Sequence, residues 1–125
     1  MSFDWEGYFD LADWLFHNPA TAASEEASLR SAVSRAYYAA FCSARNFARN
    51  QEGLQLKNDP RDHPRVALHF QNAADRDRRK VGVWLGRLRE DRRQADYEDD
   101  VPGLPSLAQN AVADTRELLN ILKLL

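Results

Sequence analysis

Arginine and tyrosine recur at helical spacing in two separated stretches, SRAYYAAF (34–41) and EDRRQADY (90–97). A guanidinium presents planar donors that suit phosphate and carboxylate, and a phenol presents a ring face and one hydroxyl. In the first stretch Arg35 and Tyr38 fall on one helical stripe with Cys42, Arg45 and Arg49. Tyr37 falls at the edge of the apolar stripe, where its ring can be buried while its hydroxyl reaches water or a partner. That helix therefore reads as having two occupied faces, one for packing and one that offers arginine and phenol outward.

In the second stretch, Arg92 and Asp96 continue the apolar line Val81–Leu85–Leu88. Neither charge is cheap to leave unpaired there. Arginine ahead of aspartate is the weaker order for a pair one turn apart. The sequence thus predicts an interhelical contact, Asp96 accepting from Arg35, with Tyr97 or Tyr38 bonding nearby.

Other chemistry is sparse. The histidines His17, His63 and His69 are scattered and Cys42 is the one cysteine, so no metal-ligand spacing emerges and no cofactor is expected. Arg65 and His69 stand one turn apart and could share a face; Lys57 precedes His63 across a loop containing Pro60. Both histidines read as surface or helix-start residues. Cys42 reads as a small packing residue.

The elements that must position these groups are helical. Trp5, Tyr8, Phe9, Leu11, Ala12, Leu15 and Phe16 give a short aromatic helix that Asn18-Pro19 stops. Ser24 is the expected N-cap of a long helix running to about Asn50, with Gly53 as its stop. Its apolar stripe is Leu29, Val33, Ala36, Ala40, Ala44 and Phe47. A loop, NDPRDHP, leads to a third helix with Pro64 in its first turn, ending about Ala74. A fourth carries Val81, Trp84, Leu85 and Leu88 and ends about Asp96; a last helix, capped by Ser106, carries Leu107, Ala111, Leu118 and Leu122. An all-α, four- to five-helix up-and-down bundle spanning residues 1–125 as a single domain is expected.

Composition agrees: 125 residues, 44% hydrophobic and 29% charged, with a net charge of −2. No apolar run approaches a membrane span. The acidic opening SFDWEGYFD is unlike a signal peptide, and a lone cysteine suits a reducing compartment, so a cytoplasmic, membrane-free setting is expected. Charge is uneven along the chain: residues 1–29 carry no basic side chain, whereas 76–93 carry eight against Asp77, Glu90 and Asp91. The wide apolar stripe of the last helix and the aromatics of the first predict a homodimer.

Two segments, AVSRAYYAAF and LREDRRQADY, separated by the histidine-containing DHPRVALHF, resemble the small stand-alone branch of the HEPN superfamily. The resemblance covers most of the chain in order, and its motif positions are Arg35, Tyr37, Tyr38, Arg92, Asp96 and Tyr97. It implies a helical bundle that commonly forms homodimers and associates with nucleotides or RNA. It also implies, as a partner, the small nucleotidyltransferase beside which many such proteins are encoded in toxin–antitoxin pairs. Ribonuclease members carry an arginine followed roughly four to six residues later by a histidine. Here Tyr97 stands where Arg92 would lead to that histidine, and a phenol with a pKa of ~10 is a poor base. The expected function is therefore a non-catalytic module that binds nucleotide, RNA or a partner nucleotidyltransferase. The alternatives are a divergent metal-independent ribonuclease, using Arg65 with His69 or Arg92 with Tyr97, and a purely structural interaction domain.

Overall fold

The computed structural model describes residues 3–20 and 24–125. Met1 and Ser2 of the acidic opening lie outside the described residues, as do 21–23. Five helices follow one another: α1 (Glu6–His17), α2 (Glu25–Glu52), α3 (Asp62–Gln71), α4 (Arg76–Tyr97) and α5 (Leu104–Leu124).

The long helix α2 is the spine, and each of the other four packs against it. Its alanines explain how. Ala32, Ala36, Ala39, Ala40, Ala44 and Ala48 are fully buried and distributed around the helix, so neighbours approach on several sides at once. Ser24 caps it as expected, its hydroxyl accepting from the Ala27 N–H at 3.1 Å. Gly53, with φ 72°, ends it in the left-handed conformation that glycine adopts without strain.

Helices α2 and α4 run antiparallel. Arg30 meets the carbonyl of Ala95 at one end, and Glu52 meets Arg78 at the other. Helix α5 returns beside α1 and α2, held by Lys123–Glu6, Arg116–Asp13 and a Thr115 hydroxyl that donates to the Ala36 carbonyl at 3.2 Å. Buried residues from all five helices form one apolar cluster, among them Ala12, Val33, Val66, Val81 and Leu118. No helix among the described residues is long and apolar enough to cross a membrane.

One helix start and one helix end differ from the sequence reading. Helix α5 begins at Leu104, because Gly103 at φ 68° and Pro105 in the first turn set the helix before Ser106 is reached. Helix α3 begins at Asp62, with Pro64 in its first turn as expected, and stops at Gln71, short of Ala74. Asp62 fixes the start of α3. Its buried carboxylate accepts the N–H groups of Lys57 at 3.0 Å and Asn58 at 2.8 Å, and pairs with Arg65 at 3.1 Å. These backbone bonds hold the Asp62 carboxyl below its usual range, and they tie the preceding loop to the first turn of α3. The next residue is His63.

Candidate functional site

Tyr37 is 1% exposed, deep in α2, and its hydroxyl is hydrogen-bonded to Nδ1 of His63 from the first turn of α3. The imidazole lies flat on Phe41, 4.0 Å between centroids at 7°, and stacks beside Tyr37 at 5.6 Å. Burial pushes the Tyr37 phenol well above its ordinary range, so it stays protonated. Burial first, then the fields of Arg89 and Arg92, push His63 down to about 4, so its ring is neutral at neutral pH. A protonated phenol donating to Nδ1 satisfies both groups and leaves the imidazole proton on Nε2.

Arg92 of α4 lies above this pair. Its guanidinium carbon is 5.4 Å from the Tyr37 ring centre, 5.5 Å from Tyr38 and 6.0 Å from Tyr97. Three rings thus surround one cation, a contact that gains strength as water is excluded. The Arg92 side chain is only 15% exposed. Its Nε–H is sealed from solvent with no acceptor among the described residues, and one Nη donates to Asp96 at 3.2 Å.

The interhelical pair expected of Asp96 takes a different form. The carboxylate accepts from Arg92 within its own helix and from the Ser34 hydroxyl on α2 at 3.3 Å; Arg35 is not its partner. Arg35 turns to α1 instead, its guanidinium 4.9 Å from the centre of the Tyr8 ring. Helical geometry accounts for this, because residues three apart diverge to either side of a stripe. Arg35 falls toward α1, and Tyr38 falls toward α4.

The expected outward stripe of α2 is therefore largely covered. Cys42 is buried, and burial raises its thiol pKa against the opposing pull of Arg45. Arg45 lies over Trp5 at 5.6 Å and Phe41 at 5.9 Å and adds a positive field at His63. Among the described residues Arg49 bonds to the side chains of Asn46 and Asn50 alone, and it stays outside the cluster.

Arg65 and His69 do not form a site together. Arg65 is held by Asp62 and Asp59, and His69 Nε2 faces Glu52 at 2.9 Å, a carboxylate shared with Arg78. Of the residues singled out in the sequence, the structure brings together Tyr37, Tyr38, Arg92, Asp96 and Tyr97, with Arg45 at the margin. It adds His63, Phe41, Ser34 and Arg89, which the sequence reading left aside. A signal for Arg89 existed, since it precedes Arg92 by three residues on the same helix. No local signal marks His63, whose setting is made by residues of another helix.

Arg30 fixes the outer rim. Its guanidinium donates to the carbonyls of Ala95 at 3.0 Å, Glu98 at 2.6 Å and Asp99 at 3.1 Å, closing the carboxyl end of α4. Tyr97, the last residue of that helix, is 71% exposed. Arg89 is exposed as well, and among the described residues no carboxylate pairs with it. With Gly86, Glu90, Arg92 and Arg93 it lines a groove along α4, where Glu90 pairs with Arg93. Chemically the cluster combines an exposed aromatic ring, a shielded guanidinium and a free one. A neutral histidine with so low a pKa and an un-ionisable phenol are poorly suited to proton transfer.

No family model matches the chain, and neither a curated protein nor a solved structure matches it. The HEPN resemblance rests on the two motifs alone.

Proposed function

We propose that this chain is a non-catalytic, HEPN-type helical module that binds single-stranded RNA at the Tyr38–Arg92–Tyr97 face. The observation that carries the reading is the exposed Tyr97 ring beside an arginine boxed by tyrosines, next to the unpaired Arg89. A base stacks on an exposed aromatic ring whatever its identity, and the flanking phosphates need cations. Tyr97 supplies the ring, and Arg89, beside Arg92 in a groove where Glu90 is neutralised by Arg93, supplies the cation. A net charge of −2 makes the attraction local rather than molecule-wide.

Cleavage is the weaker reading, because at neutral pH His63 is a neutral imidazole rather than an acidic imidazolium, and with so low a pKa it is also a weak base. The resemblance adds a homodimer and a nucleotidyltransferase partner, and Leu11 and Trp14 on α1 are apolar side chains open to a second copy.

The test is fluorescence anisotropy with a labelled single-stranded RNA at about 50 mM salt and above. Both Tyr97 and Arg89 are exposed, so their replacement leaves the fold intact. Tyr97→Ala is expected to weaken binding by about 1–3 kcal/mol. Arg89→Ala is expected to flatten the salt dependence by about 0.7 in log–log slope. Absence of binding at low salt, or binding untouched by both changes, overturns the proposal. RNA cleaved in the same assay, with cleavage lost on His69→Ala, replaces it with the ribonuclease alternative.

A further inference from the structure

Asp91 precedes Arg92 on α4 but belongs to a different environment. It is 9% exposed and lines a groove between α4 and α5 with Arg87, Leu107, Asn110 and Asp114. Among the described residues it accepts no hydrogen bond and joins no ion pair. The cation whose field reaches it, Arg87, is engaged elsewhere: Nε and one Nη both donate to Asp114 Oδ2, at 3.1 and 2.7 Å. Glu90, the next acid in reach, is answered by Arg93 at 2.8 Å.

The charges in the groove leave one carboxylate over. Asp91 and Asp114 carry two negative charges against the single positive charge of Arg87. Burial accordingly holds the Asp91 carboxyl up at about 6, with Arg87 opposing and Asp114 and Glu90 adding to the rise. At neutral pH most of the group is nonetheless ionised, in a place where an unpaired charge is costly. A divalent metal answers this poorly. Asp114 is already neutralised by Arg87, and no third His, Cys, Asp or Glu stands with the pair among the described residues. A monocation with N–H donors answers it well. Asn110 brings a second polar side chain to the groove, and Leu107 brings an apolar wall.

We propose that the groove between α4 and α5 binds the primary ammonium group of a small alkyl amine, with Asp91 accepting its N–H donors, Asn110 adding a carbonyl acceptor and Leu107 packing on the alkyl stem. The inference is independent of RNA binding at the tyrosine–arginine face.

The test is NMR on the isotopically labelled full chain at pH 7.5. The probes are n-butylammonium, tetramethylammonium and Nα-acetyl-lysine methylamide, and the readouts are the Asp91 carboxyl carbon, the Asn110 amide and the Leu107 methyls. Saturable shifts at all three positions with n-butylammonium are expected, and little response to tetramethylammonium, which has no N–H to donate. Asp91→Asn, close to isosteric, is expected to weaken n-butylammonium binding by about tenfold or more, the loss of a charge-assisted hydrogen bond. Equal binding by Asp91→Asn, equal response to tetramethylammonium, or no saturable shift at millimolar amine overturns the proposal. Tighter binding of the lysine analogue than of n-butylammonium overturns its assignment to a free amine.

Discussion

The hydroxyl of Tyr37 and Nδ1 of His63 form a hydrogen bond that joins the middle of α2 to the first turn of α3, across 26 residues of sequence. The pair is held from both ends. Phe41 supports the imidazole from below, and Asp62 anchors the turn that presents it by accepting two backbone N–H groups. Burial holds the same imidazole neutral, and the positive charges of Arg89 and Arg92 add to that effect. The consequence is a histidine kept neutral amid arginines, which ties the position of the arginines to a titration that can be read directly.

His63 is expected to titrate near pH 4, below its ordinary 6.5. Because the unfolded chain binds this proton first, the folded state loses stability as pH falls from about 6.5 to 4, by about 2 kcal/mol once solvent screening is allowed for. Arg89→Gln removes one of the opposing cations without touching the core. It should move the titration upward, in a two-dimensional NMR experiment on the imidazole nitrogens. A His63 titration at an ordinary value in the unaltered protein would contradict the buried pairing with Tyr37.

A second expectation concerns how closely α3 crosses α4. A methyl group added at Gly82 would come within 2.5 Å of the Gln71 backbone nitrogen and 2.7 Å of the Ala67 carbonyl oxygen. Backbone cannot swing aside as a side chain can, so Gly82→Ala should cost about 2 kcal/mol in urea unfolding even though alanine favours the helix. Gly86, one turn on, has only the far end of the Gln71 side chain near it, at 3.8 Å. Gly86→Ala should therefore stabilise, by up to about 1 kcal/mol. Equal effects at the two positions would mean that α3 does not pack as described.

The helices were readable in the sequence because their signals are local. Ser24 and Gly53 act within one turn of themselves, and the buried alanines of α2 announce a helix that neighbours approach closely. Ser106 is not the cap because Gly103 and Pro105 set the start of α5 three residues sooner. The meeting of the two tyrosine motifs across α2 and α4 was also legible, but its pairing was off by one residue. Ser34 takes Asp96, and Tyr8 on α1 takes Arg35. The relative register of two antiparallel helices is set by every contact along them, and hydrophobic periodicity carries only the face, not that offset. His63 reads from the sequence as no more than a surface or helix-start residue for a related reason: what makes it unusual is supplied by Tyr37, Phe41 and Arg89 from other helices.

Arg92 offers a way to separate architecture from ligand binding at one position. Arg92→Lys keeps the positive charge, but an ammonium cannot lie flat among Tyr37, Tyr38 and Tyr97 as a guanidinium does. It should cost about 1 kcal/mol of stability from weakened cation–π contact, and Arg92→Ala more, since Asp96 then keeps only Ser34. If the cluster is architecture alone, RNA affinity, measured where each variant is fully folded, is the same for the two variants and the unaltered chain. If it is the RNA-binding face, Arg92→Lys loses affinity while keeping a near-normal salt slope, because the charge persists and the stacking geometry does not. The salt slope and the unfolding free energy of the same two variants thus decide whether SRAYYAAF and EDRRQADY hold helices together or hold a strand of RNA.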